Sequence, residues 1–179
     1  GAVLVHENRE FQGSPRFGLR AALAASGASS LAAADFDLDG DLDLFAAGTD
    51  PACDPERFPE PVGAPRNGRP SHLFRTSLEG GEWNFSDVTL ECGLGELRGF
   101  KSAASFEDHD RDGDPDLFVA DAFGPLRLFE NVEGHFRDAT SAAGLEGLLH
   151  VHSLAWADLD RDGSEELCTA AAPLPGPGA

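Results

Sequence analysis

The sequence predicts an all-β protein that forms part of a β-propeller and is built from repeated units of four short strands. Three observations predict this fold. An acidic pattern occurs three times, each copy lies between two short apolar runs, and turn residues separate further apolar runs at similar intervals. Four-stranded units that repeat around an axis form a propeller.

The acidic pattern begins at Asp35, Asp108 and Asp158. Acidic side chains occupy positions 1, 3, 5 and 9 of each copy, and glycine occupies position 6. Oxygen ligands on alternate residues, with a glycine that permits a sharp turn, are typical of a Ca²⁺ loop. The alternative is an ordinary polar turn, which Asp also favours. Because three copies lie in matching contexts, we predict about three Ca²⁺ ions per chain.

An EF-hand shares the first half of this pattern, but it needs a bidentate Glu at position 12 and a helix on each side. Position 12 is Ala46, Val119 and Thr169 in the three copies. The run after each loop is short and apolar, as in residues 117–120, and suits a buried strand. We therefore predict no EF-hand and place each loop between the first two strands of a unit.

Comparison of the chain with itself predicts two complete units and two halves. In chain order these are the C-terminal half of a repeat at 1–19, repeat one at 29–94, repeat two at 99–145, the N-terminal half of a further repeat at 150–172, and a Pro/Gly tail at 173–179. The loops begin 73 and then 50 residues apart, largely because repeat one contains an insertion at 48–71. This insertion is proline-rich and aperiodic, so we predict an irregular surface loop.

Small residues characterise the strand that precedes each loop. Ala32, Ser105 and Ala155 occupy the same position, three residues before the loop begins. Small side chains permit close approach, which the innermost strand near a crowded axis requires. We therefore predict that this strand is the inner strand of each propeller blade.

The net charge is −19, and the three loops contain 15 of the 32 acidic residues. Three Ca²⁺ ions would bring the charge to −13, so much of the acidity belongs to the loops. The sequence has no basic patch that could neutralise phosphates, which argues against a nucleic-acid partner. It also has no apolar stretch of about twenty residues, so we predict no membrane span.

The chain has three cysteines, which allow at most one internal disulfide. Cys168 lies in an apolar strand, so we predict a buried thiol there. Cys53 and Cys92 are the one pair that we consider as a disulfide.

With these residues in view, the chain resembles the integrin-type FG-GAP or VCBS repeat family, and most of all the branch seen in cartilage acidic protein and bacterial ASPIC/UnbV-type proteins. Three sequence segments support the resemblance: residues 34–44 (ADFDLDGDLDL), 128–131 (LFEN) and 136–145 (FRDATSAAGL). The likeness covers about 1–19 and 29–170, apart from the insertion.

The resemblance implies a seven-bladed propeller with Ca²⁺ in loops between the first two strands of blades, of which this chain would supply an arc. It also implies an extracellular or secreted protein, periplasmic or on the cell surface in a bacterium. The implied side-chain ligands are Asp35, Asp37, Asp39 and Asp43; Asp108, Asp110, Asp112 and Asp116; and Asp158, Asp160, Asp162 and Glu166, with backbone oxygens of Asp41, Asp114 and Ser164. Glu166 replaces the usual Asp, which predicts a looser third site.

We expect a calcium-binding module that serves as an extracellular binding or scaffold domain, including cell adhesion, for a protein or glycan ligand. The insertion is a candidate contact, and the remaining blades of a longer chain are expected partners. The alternative is a catalytic or non-catalytic part of a Ca²⁺-dependent carbohydrate-active propeller enzyme. Only His150, His152 and Lys101 are candidates for the base and the charge neutralisation that a lyase needs. We recognise no catalytic motif and expect no enzyme activity.

Overall fold

The computed structural model describes residues 1–11, 13–49, 66–95 and 97–171. These residues contain strands and no helix, so the all-β prediction is confirmed. In chain order the strands are β1 (Val3–Phe11), β2 (Ser14–Leu23), β3 (Ala28–Ala34), β4 (Asp43–Gly48), β5 (Arg69–Pro70), β6 (His72–Glu79), β7 (Glu82–Asp87), β8 (Arg98–Gly99), β9 (Lys101–Glu107), β10 (Asp116–Asp121), β11 (Arg127–Val132), β12 (His135–Asp138), β13 (Val151–Ala157) and β14 (Glu166–Ala171).

Two antiparallel sheets contain four strands each. The first has the order β3-β4-β6-β7, and the second has the corresponding order β9-β10-β11-β12. β1 pairs with β2, β13 with β14, and the short β5 with β8. Each acidic loop connects the first two strands of its sheet, as the sequence predicts. Within the described residues no sheet closes into a ring.

The two complete sheets share one register. Leu44 pairs with Phe74 in the first sheet, and Leu117 pairs with Phe129 at the same place in the second. Strands of this kind form because short continuous runs of apolar residues, such as the completely buried run in β10, are bounded by turns. The repeated sequence therefore folds into repeated units that share one pairing pattern, except that the β6–β7 hairpin is longer than the β11–β12 hairpin.

The first strands of successive sheets lie side by side. Ser29 Oγ donates to the Lys101 carbonyl at 2.5 Å, and Ser102 Oγ donates to the Val151 carbonyl at 2.5 Å. Ser29 and Ser102 occupy the same position, six residues before the loop. β9 thus lies between β3 and β13, and the same contact joins each pair of neighbouring sheets.

Apolar side chains fill the space between the sheets. Phe45 and Leu73 of the first sheet pack with Leu117 and Val119 of the second, and all four are buried. Phe36 of the first acidic loop is completely buried in the same cluster. Removal of apolar surface from water contributes a favourable free energy of about 25 cal/mol for each Å². This apolar contact is therefore the main source of stability between the two sheets.

The two-stranded sheets β1–β2 and β13–β14 pack at opposite ends of this stack. Val3 and Leu23 from β1 and β2 pack with Phe74 on the outer face of the first sheet. Val151 of β13 packs with Leu126 beside the second sheet. The order along the stack is therefore β1–β2, the first complete sheet, the second complete sheet, and β13–β14.

Only the ends of the predicted insertion at 48–71 lie within the described residues, since 50–65 fall outside them. Gly48 N donates to Ser71 Oγ at 3.0 Å, and a Cβ atom at Gly48 would lie 2.1 Å from the Pro70 carbonyl oxygen. Glycine is therefore required where the insertion leaves the sheet. The predicted tail at 173–179 also lies outside the described residues.

The prediction of a buried thiol at Cys168 is wrong, because this side chain is exposed. Within the described residues β14, which carries Cys168, pairs only with β13, and its last four residues are exposed. Cys92 is a buried free thiol, and burial raises its pKa. Its candidate partner Cys53 lies outside the described residues.

An Asp-x-Thr clamp fastens the last strand of each complete sheet to the third strand. Asp138 Oδ1 accepts the Thr140 amide at 3.0 Å, and Thr140 Oγ1 accepts the Leu128 amide at 3.1 Å. Arg127 donates to the other oxygen of Asp138. Burial alone would raise the pKa of Asp138, but the Thr140 and Arg127 hydrogen bonds hold that pKa below its ordinary value.

We predict that Asp138→Asn lowers the free energy of unfolding by about 1 kcal/mol near neutral pH, the usual contribution of a partly exposed hydrogen-bonded carboxylate. Because the pKa of Asp138 is lower in the folded state than its ordinary value of 3.8, its contribution to stability is present above that value and is lost as the pH falls through the folded pKa. Urea unfolding across this pH range should show the wild type and the variant converging at acid pH. A difference in the free energy of unfolding that stays constant with pH would contradict a lowered pKa of Asp138 in the folded state.

Candidate metal centres

The three acidic loops share one backbone conformation. Position 4 is left-handed in all of them, with φ of 58° at Leu38, 65° at Arg111 and 65° at Arg161. The glycines at position 6 have φ of 97°, 101° and 88°. Residues other than glycine seldom adopt positive φ, so three occurrences at one position identify a single loop geometry. The sequence indicates the turn at position 6 but gives no signal for the strain at position 4.

Hydrogen bonds inside each loop orient the carboxylates. The position-6 amide donates to the position-1 carboxylate, at 2.9 Å from Gly40 to Asp35 and at 3.2 and 3.1 Å in the second and third loops. The position-7 amide donates to the position-5 carboxylate, at 2.9, 3.1 and 2.7 Å. The backbone therefore folds the alternate side chains toward a common centre.

The structure brings most of the predicted ligands together. In each loop three carboxylates place one oxygen apiece within 4.8 Å of the others: Asp35, Asp37 and Asp39; Asp108, Asp110 and Asp112; Asp158, Asp160 and Glu166. Asp116 forms a further group with Asp110 and His109. Asp43 of the first loop and Asp162 of the third lie outside these groups, although the pattern predicts ligands at both.

The position-9 carboxylate joins its loop to the third strand of the sheet. Asp43 is completely buried and accepts the amides of Phe36 at 3.2 Å and Thr76 at 2.8 Å. Asp116 is equally buried and accepts the Asn131 amide at 2.8 Å. The sequence predicts only a ligand at this position. The structure adds a structural role, which depends on a strand more than ten residues away and which the loop pattern does not reveal.

The remaining predicted positions also have partners. Glu166 accepts the Leu159 amide at 2.7 Å, the counterpart of the contact from Phe36 to Asp43. Asp41, predicted to offer a backbone oxygen, uses its side chain to accept the Leu78 amide at 3.0 Å. Its side chain is thus engaged with β6, whereas Asp114 at the same position of the second loop keeps one side-chain oxygen without a partner.

Several loop carboxylate oxygens are buried and have no hydrogen-bond partner. They are Asp37 Oδ1, Asp108 Oδ1 and Asp114 Oδ1, within the part of the chain that the structure describes. A buried charged oxygen without a partner is costly, and nearly all such oxygens in proteins are paired or bound to metal. These atoms, surrounded by further carboxylates, fit a hard cation that takes only oxygen ligands, as Ca²⁺ does.

Electrostatics in the loops oppose full ionisation of the carboxylates. Burial raises the pKa of Asp43 to about 6, and the charges of Asp37 and Asp39 add to this effect against the two amide hydrogen bonds. Burial, followed by the charge of Asp112, raises the pKa of Asp114 to about 6. A divalent cation would reverse this effect because it stabilises the ionised carboxylates around it.

Basic side chains make contacts in the loops that the sequence pattern does not predict. Arg75 Nε donates to Asp37 Oδ2 at 2.6 Å, which leaves the other oxygen of Asp37 as the unpartnered one. His109 Nδ1 lies 2.5 Å from Asp116 Oδ2. Arg75 has no counterpart in repeat two, where Glu130 occupies the same position. Comparison of the repeats therefore could not reveal the contact between Arg75 and Asp37.

The residues considered for catalysis have structural contacts. Lys101 is buried, and its Nζ lies 2.8 Å from Asp121 Oδ2. Burial lowers the pKa of Lys101 against the attraction of Asp121. His150 Nδ1 lies 3.0 Å from the Ala122 carbonyl oxygen, and His152 is exposed.

A family model described as an FG-GAP-like repeat matches residues 108–169, about a third of the chain. The matched segment begins at position 1 of the second loop and ends within β14, so it includes the second and third loops. The match supports the FG-GAP repeat family, in agreement with the resemblance, but it gives no support to particular relatives within the family. No curated protein matches the chain. Among the described residues no helix is long and apolar enough to cross a membrane.

We predict that Leu38→Gly is more stable than Leu38→Ala by about 0.5–1 kcal/mol, because glycine adopts positive φ without the clash that Cβ causes. Leu38 is 62% exposed, so both variants lose little apolar burial. Chemical unfolding of the pair measures the difference. Equal stabilities, or a more stable alanine variant, would contradict a left-handed position 4.

Proposed function

We propose that this chain is a calcium-binding FG-GAP module that binds about three Ca²⁺ ions and serves as an extracellular binding or scaffold domain. The observation that carries the proposal is the set of buried, unpartnered carboxylate oxygens, including Asp37 Oδ1 and Asp108 Oδ1, in loops of one shared conformation. The match to an FG-GAP-like repeat over two of the three loops supports the same function.

The ions would bind carboxylates at positions 1, 3 and 5, together with position 9 and the position-7 backbone. Because position 9 also accepts amides of the third strand, as Asp43 does from Thr76, an ion there would connect the loop to the sheet. Binding energy would then contribute to folding. Extracellular sites of this type commonly have Kd on the order of 10⁻⁴–10⁻³ M, which suits a structural ion.

The third site should be the weakest of the three. Glu166 replaces Asp at position 9 and is only partly buried, whereas Asp43 and Asp116 are completely buried. Glu166 also has a longer side chain, which loses more conformational freedom when it is fixed around an ion. This agrees with the looser third site that the sequence predicts.

We propose that the sheets are blades of a propeller, with β3, β9 and β13 as inner strands. The repeated contacts of Ser29 and Ser102 with the next inner strand support this arrangement. FG-GAP repeats are typically extracellular, so we propose a secreted or cell-surface protein, periplasmic in a bacterium. Its partner would be a protein or glycan, bound without catalysis, and the insertion at 48–71 is a candidate contact.

The first test is a thermal melt in about 10–100 mM Ca²⁺, which is about 100 times the expected Kd, in the same concentration of Mg²⁺ and in chelator. Calcium at about 100 times Kd should stabilise the fold by about 2.7 kcal/mol per site, which corresponds to several degrees in Tm. The double variant Asp108→Asn/Asp110→Asn should lose about a third of this rise, because one of three sites is removed.

The matched control is Glu79→Gln/Glu146→Gln, which removes the same charge from exposed positions outside the loops. It should keep the full calcium-dependent rise. The proposal would be contradicted if Mg²⁺ raised Tm as much as Ca²⁺, or if the loop variant and its control responded alike.

A further inference from the structure

The hairpin turn between β11 and β12 of repeat two contacts both the first and the second acidic loop. Glu133 and Gly134 form this turn, with φ of 53° and 82°. The Glu133 backbone donates a hydrogen bond to the Asp114 carboxylate of the second loop. A Cβ atom at Gly134 would lie 3.4 Å from the Cβ atom of Asp37 in the first loop. One turn therefore contacts position 7 of one loop and position 3 of the other.

Asn131 of β11 connects the same two loops through hydrogen bonds. Its backbone amide donates to Asp116 Oδ1 of the second loop at 2.8 Å, and its side-chain Nδ2 donates to the Phe36 carbonyl of the first loop at 2.8 Å. Nδ2 also donates to the Pro115 carbonyl at 3.1 Å, and Asn131 Oδ1 accepts the Gly134 amide at 2.9 Å. Because Asn131 is completely buried, loss of any of these bonds would leave a polar group without a partner, which is unfavourable.

Repeat two holds position 2 of the first loop by its side chain as well as by its backbone. The Phe36 ring is completely buried, and its centroid lies 5.8 Å from that of Phe136 in β12. Its carbonyl accepts the bond from Asn131. Phe36 lies between the predicted ligands Asp35 and Asp37. The position of repeat two therefore fixes the backbone between two ligands of the first loop.

Comparison with repeat one shows which contact is particular to Asn131. Thr76 occupies the same position in repeat one, and its amide donates to Asp43 as the Asn131 amide donates to Asp116. Among the described residues Thr76 Oγ1 is buried without a hydrogen-bond partner. The bond from the amide to its own loop thus needs no particular side chain, whereas the bond to the neighbouring loop requires the side-chain amide of Asn131.

We infer that Asn131 is a positioning residue that couples the first and second loops, so that Ca²⁺ in one loop strengthens the binding of Ca²⁺ in the other. When the second loop is filled, Asp114 and Asp116 are held together and fix the amides of Glu133 and Asn131. The Asn131 side chain then fixes the Phe36 carbonyl between two ligands of the first loop. When a loop is empty, its carboxylates repel one another and separate, so each loop has two arrangements that the hairpin turn links. The inference rests on the calcium binding proposed above.

An NMR titration with Ca²⁺ can follow each loop separately. The Gly40 amide donates to the position-1 carboxylate of the first loop at 2.9 Å, and the Gly113 amide does so in the second loop at 3.2 Å. Because these carboxylates are predicted ligands, each glycine amide resonance should shift when its own loop is filled. The calcium concentration at the midpoint of each shift then reports the affinity of one loop.

Two variants that each keep one of these loops provide the reference affinities. Asp108→Asn/Asp110→Asn leaves the first loop to bind without the second, and Asp35→Asn/Asp37→Asn leaves the second without the first. Both midpoints should lie at lower calcium in the wild type than in these variants. A joint fit of the three titrations should give a coupling factor of about five or more, the same for both loops because coupling of binding free energies is reciprocal.

The long-range field of the second loop does not account for this difference. That loop has five acidic side chains, and the double variant removes two of their charges, as many as one bound Ca²⁺ ion offsets. The empty variant loop and the filled wild-type loop therefore have the same net charge. What differs between them is the arrangement of the loop and of the hairpin turn that contacts it.

Asn131→Thr isolates the side-chain contact, since threonine already occupies this position in repeat one. The variant keeps the backbone amide that donates to Asp116 and loses the donor to Phe36. Its coupling factor should fall to about one, while the Gly113 resonance shows that the second loop still binds Ca²⁺. The matched control Val132→Thr changes the next residue of β11, which is 42% exposed, and should keep the wild-type coupling factor.

A coupling factor of one in the wild type, or one that persists in Asn131→Thr, would overturn the inference and leave the calcium sites intact. Glycine resonances that do not respond to Ca²⁺ would contradict the calcium sites as well. The comparison of the wild type with the two single-loop variants needs no change in the core, so it tests the coupling whether or not Asn131→Thr folds. Thermal melts register the coupling only as a loss slightly greater than the third expected for independent sites.

Discussion

Repulsion among clustered carboxylates is the constraint on which the rest of this structure depends. Each loop places five acidic residues within about ten positions, and the fold buries some of them completely, as at Asp43 and Asp116. Backbone amides and Arg75 offset part of this charge, yet the pKa of Asp43 rises to about 6 and Asp37 keeps an unpartnered oxygen. The divalent cation proposed for each loop would offset this repulsion at a single point.

The same carboxylates connect the loops to the sheets. Because Asp43 and Asp116 each accept one amide from their own loop and one from the third strand, the loop geometry and the strand register support each other in the two complete sheets. Once the register is set, the apolar faces of adjacent sheets match, and the inner strands meet through equivalent serine contacts. Local charge, sheet pairing and packing between sheets are thus linked parts of one repeated unit.

Most of the strands could be predicted from the sequence, since short apolar runs bounded by turns and repeated three times leave few alternatives. The grouping of the carboxylates at positions 1, 3 and 5 of the first two loops could also be predicted, because alternation alone brings them together. The exposure of Cys168 could not, since it depends on which strands lie beside β14. Nor could the contact of Arg75 with Asp37, which joins residues far apart in sequence and occurs in only one repeat.

Calcium binding by the three acidic loops is tested most directly by counting the Ca²⁺ ions that the chain binds. Isothermal titration at neutral pH, with the protein first stripped by chelator, gives this number without reference to stability. We predict close to three Ca²⁺ ions per chain, two bound more tightly than the third. Absence of binding, or a single weak site that Mg²⁺ fills equally well, would contradict it and would mean that the loops are ordinary acidic turns.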